Sequence, residues 1–186
     1  MPFLSDSDRQ SLLRLARLAV IEVLASGRIL ADIPAGGIFS EQCGVFVSLH
    51  IGKRLRGCLG VVEPEHPLGD SIVRCAIGAA TRDPRFPAMR PNELDQLEIE
   101  ISLLSPPGAI RPEEIQIGTH GLLICKGAHR GLLLPQVAVT HQLSVEQFLA
   151  ETCRKAELPL DAWRDPEIKL FGFTCEVFSG GAQSDR

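Results

Sequence analysis

Residues 43–62 read CGVFVSLHIGKRLRGCLGVV, and this stretch decides the fold. Cys43–His50 is rich in β-branched and aromatic residues, the composition of a strand. Ile51-Gly52-Lys53-Arg54 reads as a turn, and Leu55–Val62 as the return strand, interrupted by Gly57 and Gly60. Two strands joined by so short a turn must be antiparallel, because parallel neighbours need a crossover of a dozen residues or more. Glu63-Pro-Glu-His-Pro67 then breaks the chain. Leu68–Thr81 follows as a helix with Leu68, Ile72, Cys75, Ala76 and Ala79 on one side.

Outward from this hairpin-plus-helix, Ser5–Ser26 reads as an amphipathic helix. Ser5 is its N-cap, Asp8 stands three residues on in a capping-box position, and Gly27 stops it. Leu12, Leu15, Ala16, Ala19, Val23 and Leu24 form its apolar face. Downstream, Asp83-Pro-Arg-Phe-Pro87 ends the second helix, since proline lacks the N–H donor and restrains the residue before it. Leu97–Leu104 (LEIEISLL) alternates apolar and polar as a half-buried strand does. Gly121–Cys125, a turn at Lys126–His129 and Gly131–Leu134 make a second hairpin, and Ser144 caps a helix over Val145–Ala156. Ile168–Phe178 reads as one final strand, and 179–186 as a polar, flexible tail. Two hairpins, each followed by a helix, suggest a hairpin-plus-helix duplication. The class is α+β, with a mainly antiparallel sheet and flanking helices, in one domain over 1–178.

The 186 residues are 45% hydrophobic and 23% charged, which excludes a disordered chain, a collagen and a coiled coil. A net charge of −4 argues against a dedicated nucleic-acid binder. The basic run His50–Arg56 lacks interleaved aromatics, so it suits a solvated turn or an anionic small molecule better than a polymer. Asp6, Asp8, Arg9, Arg14, Arg17 and Glu22 interrupt any signal-peptide core in the first 27 residues, and no stretch of about 18 apolar residues offers a membrane span. A cytoplasmic location is therefore expected, with the six cysteines as thiols. No C-x-x-C pair is present, and Cys43, Cys75, Cys125, Cys153 and Cys175 read as small buried hydrophobes.

Cys58 differs from the other five, because it lies between Gly57 and Gly60 and follows Arg54 and Arg56. Glycine inside a strand marks a bulge or a close approach to the backbone. Bare N–H groups beside arginines bind anions, and nearby cations favour a thiolate. Cys58 thus reads either as an activated nucleophile, with Arg56 stabilising its thiolate or an oxyanion, or as a filler beside a glycine bulge. Asp83 and Arg85 could reach the same loop or simply pair with each other, with Phe86 as an anchor in the core. Glu98 and Glu100 on the polar strand face suit acid–base work, a metal or pairing with arginines. His120, in Gly118-Thr-His-Gly121, reads as a general base for a thiol or as an exposed loop histidine. No zinc spacing is present, so no metal site is expected, although Cys58, His66, His120 and a carboxylate could assemble non-locally.

Five motifs in order, Leu-Arg-Gly-Cys-Leu-Gly (55–60), Asp-Pro-Arg-Phe-Pro (83–87), Glu-Ile-Ser-Leu-Leu-Ser-Pro (100–106), Gly-x-His-Gly-Leu (118–122) and Gly-Leu-Leu-Leu-Pro-Gln-Val-Ala (131–138), resemble the AMMECR-type domain family, whose prokaryotic members are called AmmeMemoRadiSam system protein A. Phe148-Leu149, Cys153, Leu158-Pro159 and Ala162-Trp163 continue the likeness over nearly the whole chain. The resemblance implies two unequal lobes, and it implies the company of a Memo-like protein and a radical S-adenosylmethionine protein. It implies no cofactor and no reaction. It places Arg56, Gly57, Cys58, Gly60, Asp83, Arg85 and Phe86 near one site in a cleft, with Glu100 as a neighbour. Two functions follow as expectations: an enzyme or enzyme component that binds an anionic small molecule beside a Cys58 thiolate, or a non-catalytic adaptor of those partners.

Overall fold

The computed structural model describes residues 4–181, an α+β chain of two compact units. The first unit runs to Leu103 and resumes at Glu176; the second spans Leu104–Cys175. The expected tail falls largely on 182–186, outside the described residues, but Ser179 and Gly180 belong to the last strand rather than to a tail.

In the first unit, α1 (Asp6–Ser26) starts from a complete capping box. The Ser5 hydroxyl accepts from the Asp8 N–H, and the Asp8 carboxylate accepts from the Ser5 N–H. Gly27 closes the helix at φ 71°, a left-handed conformation that glycine adopts without a Cβ penalty. The hairpin is β1 (Gly44–Ile51) and β2 (Arg54–Val61), and α2 (Leu68–Thr81) follows it. The next strand, β3 (Leu97–Leu104), pairs on the other side of β1.

Val45, Val47 and Leu49 from β1 and Leu97, Ile99, Ile101 and Leu103 from β3 are buried with Leu12, Leu15 and Val20 of α1. Each such aliphatic side chain contributes roughly 1.5–3 kcal/mol on burial. The sequence gives α2 one apolar side, yet it is buried almost all round. Gly69, Ala76, Gly78, Ala79 and Ala80 make this feasible, because a helix of small residues can be enclosed by neighbours at short range. A Cβ on Gly69 would meet Ile33 at 2.8 Å, and one on Gly78 would meet Leu59 at 2.8 Å.

In the second unit, β4 (Gly108–Ala109) is short, β5 (Gly121–Lys126) and β6 (His129–Leu133) form the second hairpin, and β7 (Lys169–Phe173) pairs antiparallel with both β4 and β5. A short helix, α3 (Pro135–Thr140), precedes α4 (Val145–Lys155), which begins at a Ser144–Gln147 capping box. A helix as short as α3 leaves no periodic signal in the sequence; its proline supplies the first turn, where a missing N–H costs nothing. Phe148, Leu149 and Leu122 form one core of this unit, and Ile124, Cys153 and Ala156 another.

One expected element divides. The strand expected over 168–178 is two strands, β7 and β8 (Cys175–Gly180), in different sheets. Thr174 separates them. Its N–H donates to Ser105 Oγ at 2.9 Å and its carbonyl accepts from the Ser105 N–H at 2.9 Å, so the chain is pinned there. In IKLFGFTCEVF (168–178) the single Thr174 between two strand-like halves gives no sign of such a switch.

The two sheets share an order, β2-β1-β3-β8 and β6-β5-β7-β4. They also share a packing device. In β2 a Cβ on Gly57 would lie 2.0 Å from the Ala79 carbonyl oxygen, and in β6 a Cβ on Gly131 would lie 2.4 Å from the Thr152 carbonyl oxygen. In each unit, then, a glycine in the second hairpin strand lets the last turns of a following helix press on the strand backbone. The duplication expected from the sequence has this physical counterpart.

Candidate functional site

Strand β2 is at an edge of its sheet. Pairing runs from Ile51↔Arg54 and His50↔Leu55, skips Arg56, and resumes at Leu49↔Gly57 and Ser48↔Cys58. Arg56 is therefore the extra residue of a β-bulge, a device that bends a strand and redirects a side chain. The bulge expected from the glycines exists, but its cause is Arg56. Gly57 provides the close approach of α2, and Gly60 lies under the Phe46 ring, where a Cβ would come within 2.2 Å of the ring carbons.

The redirected Arg56 guanidinium does not face the thiol. Its Nε donates to Glu93 Oε1 at 2.7 Å, Nη1 to the Pro87 carbonyl at 2.7 Å, and Nη2 to the Ala88 carbonyl and Glu93 Oε2, both at 3.2 Å. Arg56 holds the loop after α2 against the strand edge. The same bonds hold the Glu93 carboxyl below its usual range; Arg56 hydrogen bonding is the main cause, burial opposes it, and the Arg90 N–H assists.

Asp83 is the centre of the site. It is 5% exposed, in the turn just past α2. Its Oδ2 accepts the Cys58 backbone N–H at 2.8 Å and Arg85 Nη2 at 2.6 Å; its Oδ1 accepts the Arg85 N–H at 3.1 Å and Arg85 Nε at 2.9 Å. Four donors on a buried carboxylate favour its charged form. Asp83 is accordingly held far below the ordinary carboxylate range, chiefly by the Arg85 side chain, against the opposing effect of burial. The pairing of Asp83 with Arg85 and their approach to the Cys58 loop, weighed as alternatives on sequence, are both present.

Arg85 is the cation beside Cys58. Asp83 raises its pKa most, burial works the other way, and the charge and hydrogen bonding of Cys58 add to the increase. Its side chain is 56% exposed, and Nη1 takes no part in the Asp83 bonds. The guanidinium carbon lies 5.4 Å from the centroid of Phe86, so Phe86 supports Arg85 from a half-exposed position instead of anchoring the turn in the core. Met89 is the anchor: it is 4% exposed and its N–H donates to the Ala80 carbonyl at 2.8 Å.

Cys58 itself is half-buried, and its Sγ accepts from the Ser48 hydroxyl at 3.3 Å. A hydroxyl and a guanidinium therefore both stand beside the sulfur. The Cys58 N–H is committed to Asp83 and is not a bare anion donor. The other cysteines differ. Cys43 and Cys75 are fully buried, and burial is the main reason both thiols are pushed up to about 11. Cys153 is also buried and raised. Cys125 and Cys175, read as buried, are half-buried; none of the six forms a disulfide.

Glu100 is half-buried on β3, on the strand face that also bears Glu98 and Ser102; Ser102 is 3% exposed despite its place on the polar face. His120 belongs to the second unit, where its Nδ1 accepts the Gln116 N–H at 3.1 Å and its own N–H donates to the Gln116 carbonyl at 3.0 Å. Its ring is engaged in closing its own turn. Among the described residues no group of three or more His, Cys, Asp or Glu side chains is placed to hold a metal ion, and no helix is long and apolar enough to cross a membrane. Sequence reasoning missed Ser48 and Glu93.

The class defined by this geometry is an α+β chain of two topologically alike units, the first bearing a thiol site built on a bulged edge strand. The AMMECR1 family model matches residues 13–178, and the chain belongs to that family. It is 43% identical to a protein of Thermococcus gammatolerans over 94% of this chain and 91% of that one. It is 41% identical to a protein of Methanothermobacter thermautotrophicus over 94% and 95%. The crystal structure of the Pyrococcus horikoshii protein PH0010 superposes with a TM-score of 0.84 at 41% identity, over 90% of this chain and 89% of that one.

Proposed function

We propose that this chain is an enzyme, or the catalytic component of one, that binds an anionic small molecule at Arg85 and uses the Cys58 thiolate on it. The observation that carries this reading is the double role of Asp83, which holds the Cys58 backbone and the Arg85 guanidinium with one carboxylate. A charged hydrogen bond is stronger than a neutral one, and a buried carboxylate with four donors is a rigid mount. Arg85 Nη1 remains for a carboxylate or phosphate on the substrate, which a planar guanidinium suits. Ser48 and Arg85 stabilise the sulfur anion, and the thiol proton leaves to solvent. Arg56 and Glu93 are positioning residues; Gly57 and Gly60 allow the strand to be approached from both sides.

The test is the rate of alkylation at Cys58 against pH, followed by mass spectrometry on the Cys58 peptide so that the other five thiols do not interfere. The expected result is faster alkylation at Cys58 than at the half-buried Cys125 and Cys175, and a slower rate at Cys58 in Arg85→Met. A Cys58 that reacts no faster than Cys125 and Cys175, in wild type and Arg85→Met alike, would sink the nucleophile.

A further inference from the structure

A groove of about 400 Å³ runs along the outer side of α1 beside the end of β8, lined by Leu13, Arg14, Arg17, Leu18, Ile21 and Gly180, among others. Its size falls within the roughly 300–1,000 Å³ of small-molecule sites. It involves neither Cys58 nor Arg85.

Two features of this groove are unusual for a plain helix surface. The first is Arg17. Its guanidinium is partly buried, and among the described residues its one hydrogen-bond acceptor is the Leu97 carbonyl, at 2.6 Å. It has no carboxylate partner there, and burial alone lowers its pKa. A desolvated cation with no counter-charge is costly, and an anion in the groove would relieve that cost. Arg14, one turn away on the same wall, is exposed and has no ion-pair partner among the described residues. Among the described residues no acidic side chain lines the groove; Glu98 stands at its rim, with its Cγ 3.7 Å from a Cβ built on Gly181. The second feature is apolar exposure: Leu18 is 47% exposed and Ile21 38%, adjoining Leu13.

We infer that this groove binds an anionic amphiphile, a molecule with one carboxylate head and an apolar tail. The head pairs with the free donors of Arg17 and with Arg14. The tail covers Leu13, Leu18 and Ile21. Charge complementarity selects an anion over a neutral lipid-like molecule, and the apolar wall selects a tailed anion over a small one.

The probe is decanoate, titrated into the full chain by calorimetry below its aggregation concentration, with decanol and acetate as controls. Decanoate is expected to bind, and both controls to bind at least about tenfold more weakly, the factor that loss of one charged hydrogen bond or of the buried tail implies. Arg17→Met keeps an apolar stem and is expected to weaken decanoate about tenfold as well. Ile21→Asp, at an exposed position, sets a like charge at the rim and is expected to weaken it comparably; it carries the test if Arg17→Met does not fold. Decanol binding as tightly as decanoate, or wild type and both variants binding alike, would overturn the inference. So would binding of an acidic amphipathic peptide with none of decanoate, which would make the groove a protein-docking surface. Neither result bears on Cys58.

Discussion

Asp83 Oδ2 accepts the backbone N–H of Cys58 at 2.8 Å, across 25 residues of chain. A strand edge and the turn beyond α2 are therefore joined through one buried carboxylate, and the thiol position depends on it. Asp83→Asn keeps the shape but removes the charge that holds Arg85. Stability is expected to fall by about 1–3 kcal/mol, the usual cost of a disrupted buried hydrogen-bonding group, with Arg85 half in solvent and so contributing modestly. Urea unfolding measures the loss, and Cys58 alkylation is expected to slow in the same variant.

The Asp83 charge also sets a pH dependence. Its folded pKa lies below the unfolded value of 3.8. Below 3.8 the unfolded chain binds the proton and the folded site resists it, so the stabilisation is complete above the unfolded value and is lost as the pH falls towards the folded one. The stability gap between wild type and Asp83→Asn is expected to be constant at neutral pH and to shrink below about pH 4. A gap that stays constant to pH 2.5 would contradict this assignment.

Gly57→Ala is expected to be among the most damaging single changes in the first unit. The added Cβ would sit 2.0 Å from the Ala79 carbonyl oxygen, which is backbone and cannot turn aside. Overpacking of this kind costs typically about 1–3 kcal/mol, so the thermal midpoint should drop by several degrees. Gly60→Ala meets the Phe46 ring, a half-exposed side chain that can swing away, and is expected to cost less. Gly108→Ala has open space and serves as the neutral control, within about 0.5 kcal/mol.

Arg56 and Arg85 should separate in their effects. Arg56→Ala frees the Pro87 and Ala88 carbonyls and the Glu93 carboxylate, and is expected to cost about 1–3 kcal/mol of stability with little change in the alkylation rate of Cys58. Arg85→Met is expected to lower that rate with a smaller loss of stability. The opposite pattern would place Arg56, not Arg85, beside the thiol.

The sequence carried the elements well and the site unevenly. The borders of α2 and β3, the Ser5 and Ser144 caps and both hairpins follow from local signals: periodicity, capping residues and turn chemistry. The split of β7 from β8 is not legible because threonine is as common inside a strand as between two, and its bonds to Ser105 are non-local. Arg56 was assigned to the thiol because it is two residues away, the natural guess for a strand, and the bulge undid that guess. The bulge also hid Ser48. Counting back from the Gly52–Lys53 turn pairs Ser48 with Gly57, whereas skipping Arg56 pairs it with Cys58. Asp83 and Arg85 were found from their motif, but that Asp83 holds the Cys58 N–H is a long-range contact that no spacing encodes.

The covering of β2 has a consequence for how the molecule behaves in concentrated solution. An uncovered edge strand presents N–H and C=O groups that can template pairing with a second chain. Here Asp83 takes the outward N–H of Cys58, and Arg56 ties residues 87–93 down along the same edge. Variants that loosen this loop should therefore self-associate before they unfold. Light scattering that rises with protein concentration, at temperatures well below each variant's own thermal midpoint, would be their first symptom. The bonds that aim a thiol also keep one copy of the chain from adding to the sheet of another.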